Sequence, residues 1–115
     1  MGGKHVFTTV KALPGKEIAR GVTIKPLAGD HVMLNYVEFT SNAEVPTHSH
    51  PHEQLGFMIE GELELWVGDE RRSLRPGDTY FIPGGVPHGA RTGESRALIL
   101  DVFYPLREDY LKLFA

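Results

Sequence analysis

The chain has 115 residues, 41% hydrophobic and 23% charged, with a net charge of -3 and no cysteine. That length supports one globular domain with a modest core, and a single domain over residues 1–115 is the expectation. The composition rules out disulfides, thiolate metal sites and a catalytic thiol, and with no basic cluster beyond Arg71-Arg72 it speaks against nucleic acid and anionic membranes as partners.

In chain order, the start "MGGKHVFTTV" has no apolar run of signal-peptide type, and Val6 stands where a myristoylation motif needs Ser or Thr. A soluble, cytoplasmic protein is expected. Short apolar runs then alternate with turn clusters rich in Gly and Pro, which is an all-β pattern. The runs predict strands over Gly21 to Pro26, Val32 to Thr40, Gly56 to Ile59, Glu62 to Val67, Thr79 to Ile82 and Ala97 to Tyr104. Period-two alternation is clearest in "ELELWV", with Glu62 and Glu64 on one face and Leu63, Leu65 and Val67 on the other. Turns are predicted at Ala28-Gly29-Asp30, Gly68-Asp69-Glu70 and Arg75-Pro76-Gly77-Asp78. The end, "LREDYLKLFA", reads as a short helix. An all-β chain this small must close or stack its sheets, so a small barrel or sandwich is expected. Several runs, notably Ala97 to Val102, are apolar on both faces, more than one barrel interior absorbs, and predict a homodimer.

Three of the six histidines fall at alternate positions in "THSHPHEQLG". In an extended strand His48 and His50 project to one face, as two imidazoles converging on an ion must. Gln54 keeps that parity across the Pro51 to Glu53 interruption, and its carboxamide oxygen can coordinate or accept a hydrogen bond. His88 follows a rigid Gly/Pro turn, "PGGVP". Four neutral donors are thus available, although a polar surface loop explains the same tract. His52 reads as a ligand or a rim residue, and Glu53 replaces Gln54 if the turn contains a bulge. His5 and His31 read as surface residues. Glu60, Glu62 and Glu64 read as a solvated strand face, and "IPGGVPH", with no helix after it, does not read as a phosphate cradle. Near the end, Asp101 interrupts an apolar strand and shares a face with Phe103, so a cation neutralises it or it faces a polar cavity. Arg107 carries a fork suited to a carboxylate, and an Asp101 to Arg107 ion pair is the structural alternative.

"HSHPHEQLGFMIEG" and "GDTYFIPGGVPH" resemble the two motifs of the cupin superfamily. The resemblance implies a double-stranded β-helix, or jelly-roll barrel, with a short C-terminal helix and one divalent transition metal inside: nickel, zinc, manganese, cobalt or iron. It matches His48, His50, Gln54 (where many cupins have Glu), Gly61, Gly77, Pro83, Gly85 and His88. Asn42 stands where the first motif often begins with Gly, and Thr92 where the second often ends in Asn; neither position supplies a ligand. The pairing of "HSHPHEQ" with "DVFYPLREDYL" is further similar to KdgF-type pectin-degradation cupins from about Gly21 onward. That narrower resemblance implies metal ligands at His48, His50, Gln54 and His88, and catalytic or substrate-contacting roles for Asp101, Phe103 and Arg107. It also implies conversion of 4,5-unsaturated uronates, sugar acids released from pectin or alginate, into linear ketonised sugars. Two other readings stay open: a metal-dependent oxygenase or lyase on another small acid, and a sugar-acid-binding cupin without turnover.

Overall fold

The structure, a computed structural model, describes residues 6–115, so His5 lies outside the described residues. Ten strands follow a single 3-10 turn at Val10–Ala12: β1 (Lys16–Ala19), β2 (Val22–Ala28), β3 (Met33–Phe39), β4 (Glu44–His48), β5 (Glu53–Gly61), β6 (Leu63–Val67), β7 (Glu70–Leu74), β8 (Thr79–Ile82), β9 (His88–Arg91) and β10 (Ala97–Tyr104). A short helix, α1 (Glu108–Lys112), follows them. Six strands form one sheet in the order β1-β2-β3-β10-β5-β8, and four form the other in the order β4-β9-β6-β7. Every pairing is antiparallel. The all-β barrel with a C-terminal helix is therefore borne out.

Side chains alternate between faces along a strand, so β10 sends Ala97, Ile99, Asp101 and Phe103 inward, all buried. The strand passes from apolar to polar halfway along its inner face. Its neighbours do the same in register. Ile99 lies beside Val37 and Met58, and Ile24 beside Val37, which places the core at one end. Asp101 lies between Asn35 and Gly56, and Gly56 pairs with Tyr80, so the next row holds polar groups. The smaller sheet matches: Leu65 pairs with Ala90 at the core end, and His88 with His48 at the other. Removing each apolar side chain of the core end from water contributes about 1.5–3 kcal/mol, which leaves the opposite end free to carry polar chemistry.

Four strands, β1, β4, β7 and β9, escape the sequence expectation. "KEIA", "EVPTH", "ERRSL" and "HGAR" are short, charged, or interrupted by Pro or Gly. β1 and β7 are edge strands, where charge blunts unwanted pairing at little cost. β5 also starts earlier than expected, at Glu53. The acidic series is a solvated face, with Glu64 bonded to Arg91 at 2.6 Å and to Arg71 at 3.2 Å, Glu62 near Arg75 and Glu60 near Arg96. The two departures from the motifs have local explanations. Asn42 takes a left-handed φ of 54°, which Asn tolerates better than most residues. The buried Thr92 hydroxyl accepts from the Ala43 N–H at 2.9 Å and donates to the Thr40 carbonyl at 2.6 Å, closing the same turn.

Candidate metal centre and acid/base site

A β-bulge aims His48. β4 pairs Val45 with Ala90 but His48 with His88, so three steps on β4 match two on β9. Strict alternation from Val45 would bring Thr47 to His88; the extra residue turns His48 inward instead. Thr47 faces out and accepts from the Trp66 indole N–H at 2.8 Å. His50 lies beyond the strand, where its carbonyl accepts the Gly85 N–H at 2.8 Å. That bond ties the histidine loop to the turn before His88. Gly84 makes the contact possible, because a Cβ there would fall 2.4 Å from the Pro51 carbonyl oxygen. The result is convergence: one ligand atom from each of His48, His50 and His88 lies within 4.8 Å of the others.

The outer ring nitrogens settle which atoms face inward. Nδ1 of His48 donates to the Pro46 carbonyl at 2.8 Å, Nδ1 of His88 to the Val86 carbonyl at 2.8 Å, and Nδ1 of His50 to the His52 carbonyl at 3.2 Å. A carbonyl only accepts, so each Nδ1 carries the proton and each Nε2 presents a lone pair. This is how metal-ligating imidazoles are oriented by their outer partners. Burial, with the nearby Arg107 charge, lowers His50 to about 4 and keeps the ring neutral near pH 7. Burial lowers His88 as well. His50 Nε2 lies 3.0 Å from Oε1 of Gln54. With the His50 proton on Nδ1, Nε2 and Oε1 are two lone pairs facing each other, an arrangement relieved by a cation. The donor set therefore fits a divalent metal.

Asp101 is buried on β10, and its Oδ1 accepts from the Tyr80 hydroxyl at 2.5 Å. Burial pushes its carboxyl up to about 6, against the lowering effects of Tyr80, Gln54 and Arg107. The alternative Asp101 to Arg107 ion pair does not form. Arg107 instead donates from Nε and Nη2 to Asp109 at 3.1 and 2.7 Å. Its guanidinium lies 3.8 Å over the Tyr110 ring and 5.0 Å from the Phe103 ring, while the end-on Nη1/Nη2 edge keeps N–H groups that Asp109 does not use. Phe103 is 2% exposed and sits edge-on to His50, with ring centroids 5.6 Å apart.

A cavity of about 50 Å³ inside the barrel touches His48, Gln54, His88, Asp101 and Phe103. A wider depression of about 590 Å³ lies at the mouth, beside His31, His50, His52 and Asp109. Arg107 borders both. All seven expected site residues thus gather at one end of the barrel. His52 stays at the rim, its ring 5.4 Å from that of His50 and outside the triad. Glu53 is exposed, and β5 has no bulge that would exchange it with Gln54. Sequence reasoning missed Tyr80, Asn35 and Asp109. Asn35 is the lone uncharged polar residue of "MLNYVEF" apart from Tyr36, and Tyr80 shares the parity of Ile82, so the signal that marked Asp101, a polar group at an inward position, was present for both.

The cupin domain family matches residues 35–103. Pectin degradation protein KdgF of Dickeya dadantii (strain 3937) is 30% identical over 100 residues, covering 85% of this chain and 91% of that protein. Among solved structures, an RmlC-like cupin from Shewanella frigidimarina NCIMB 400 superposes with a TM-score of 0.85 at 29% identity, over 93% of this chain and 96% of that one. KdgF from Halomonas sp. superposes with a TM-score of 0.83 at 30% identity, over 90% and 98%. With the motifs, the two-sheet barrel and the inward histidines in agreement, the chain belongs to the cupin family and is similar to its KdgF-type members.

Proposed function

We propose that this cupin converts 4,5-unsaturated uronates into linear ketonised sugars with one divalent transition metal held by His48, His50, Gln54 and His88. The similarity to KdgF, a pectin degradation protein, supports a sugar acid derived from pectin as the substrate. The observation that carries the chemistry is Asp101, a buried carboxyl pushed up to about 6 that lines the same cavity as His48, Gln54 and His88. A group poised near the working pH can both take and return a proton, which hemiacetal opening and enol-to-keto conversion both need. Three imidazoles and a carboxamide are all neutral, so a bound metal keeps its full charge and supplies Lewis-acid polarisation of a substrate oxygen. Its identity among nickel, zinc, manganese, cobalt and iron is not set by this donor set.

The 50 Å³ cavity is too small for a sugar acid, whereas the mouth is large enough. The sugar therefore lies in the mouth with its reacting end turned inward past Arg107. The free Nη1/Nη2 edge of Arg107 clasps the C6 carboxylate, Asp109 holds the opposite edge, and Phe103 walls the reacting end from water. Arg107→Lys keeps the charge and loses the fork. It should raise KM for an unsaturated uronate by more than it lowers kcat, read from initial rates across substrate concentration. An unchanged KM would remove Arg107 from substrate binding.

We also propose a cytoplasmic homodimer. Among the described residues no helix is long and apolar enough to cross a membrane. On the outer face of the larger sheet Leu27, Leu34, Val102, Leu55 and Phe81 lie side by side across five strands. Leu55 is 52% and Phe81 53% exposed. A contiguous apolar row of this kind marks an interaction surface, and a second copy covers it. Light scattering at micromolar concentration should give the mass of two chains, and Phe81→Glu should shift it toward one. A wild-type mass of one chain would dispose of the dimer.

A further inference from the structure

We infer that Tyr80 is the positioning residue for Asp101, and that Gly56 is the slot through which it reaches that carboxylate. The two side chains come from strands that are not neighbours: β10 carries Asp101, β8 carries Tyr80, and β5 runs between them. Register places Gly56 opposite both, paired with Asp101 on one side and Tyr80 on the other. A Cβ at residue 56 would fall 1.9 Å from Tyr80 Cζ and 2.4 Å from its hydroxyl oxygen. Any side chain there would lift the ring off the strand. Gly56 is itself buried and has no left-handed φ, so close approach, and not backbone freedom, explains the glycine.

Laid across the strand, the Tyr80 hydroxyl donates to Oδ1 of Asp101 at 2.5 Å. A buried carboxyl held at Oδ1 is restrained about its Cβ–Cγ bond, and it borders the cavity that the histidines line. Tyr80 lines the same cavity, with its hydroxyl proton given to Asp101. It acts through Asp101, so that the proton-carrying oxygen meets the substrate at a fixed angle. The kinetic consequence rests on the acid/base role proposed above for Asp101; the lock itself does not.

The test uses full-length, zinc-loaded protein with two single variants and their combination. Tyr80→Phe keeps the ring and removes the hydroxyl, whereas Gly56→Ala keeps the hydroxyl and displaces the ring. Wild type should show a slowly exchanging, downfield hydroxyl proton in its NMR spectrum, as a donor to a buried carboxylate does. Both variants should lose it. Each should lower kcat on the unsaturated uronate by about 10- to 100-fold, since small misplacements of a reacting group cost that much. KM should stay within about twofold and zinc content should remain full, because neither substrate binding nor the ligand set is touched. The combination should cost no more than either change alone, because both break one interaction. If the hydroxyl proton is absent from wild type, or survives Gly56→Ala, the lock does not exist, whatever the substrate. If wild type turns over the uronate and Tyr80→Phe matches its kcat, the positioning role is wrong while the function stands. If wild type does not turn over, the function fails and the hydroxyl resonance alone decides the lock.

Discussion

Asp101→Asn should retain its metal and its fold while losing about 10²- to 10⁴-fold of turnover, the range that a positioned acid/base group contributes. Asn keeps the volume and can still accept from Tyr80, but it cannot carry the proton. The pH behaviour separates this role from a structural one. The wild-type carboxyl is pushed up to about 6 by burial, so below that pH it is protonated and can no longer act as a base. The acid limb of kcat/KM should lie at or below about 6, lower when a cation is bound nearby, and should vanish in the variant. Stability should move oppositely. A carboxyl whose folded pKa exceeds its ordinary 3.8 stabilises the fold when protonated; that contribution is complete below 3.8 and lost as pH rises through about 6. Thermal melts of the metal-free proteins should therefore show Asp101→Asn no less stable than wild type at neutral pH. A variant that unfolds more easily yet keeps wild-type specific activity would make Asp101 structural.

His50→Ala and His88→Ala should each reduce bound metal from near one per chain to near none by elemental analysis. Losing an outer partner of a metal ligand already costs about 10- to 100-fold in affinity, and losing the ligand should cost more. Because a metal that binds only the folded state raises its stability, chelator should lower the melting temperature of wild type and leave both variants almost unmoved. His52→Ala, at the rim, should keep its metal. Full occupancy in both His50→Ala and His88→Ala would remove the ligand assignment.

How far the sequence could be read depended on what each residue had to do. "ELELWV" was legible because its alternation is a local property of an amphipathic strand, and Ala97 to Tyr104 because a run apolar on both faces reads as a buried strand. β4 and β7 were not, since "EVPTH" and "ERRSL" become strands only by pairing with β9 and β6. The shared parity of His48 and His50 pointed to the site, but the device that aims His48 is a bulge opposite β9, which no spacing within "THSH" reveals. β5 was the most misleading stretch. Leu55, Phe57 and Ile59 face outward, while Gln54, Gly56 and Met58 face in. The apolar side of that strand was the visible one, and the side that builds the site carries an amide, a glycine and a thioether. Arg107 borders the site, and the ion pair with Asp101 that was its structural alternative does not form, because Asp109, two residues on, holds it.

Under the proposed function the chain hastens the loss of a 4,5-unsaturated uronate in a metal-dependent way. The most direct test is the decay of the conjugated-alkene absorbance with wild-type protein, measured against the spontaneous rate, after chelation, and after adding back nickel, zinc, manganese, cobalt or iron in turn. Decay faster than the spontaneous rate, a return to that rate on chelation, and recovery with at least one metal are expected. Decay that never exceeds the spontaneous rate under any of the five metals would contradict that function.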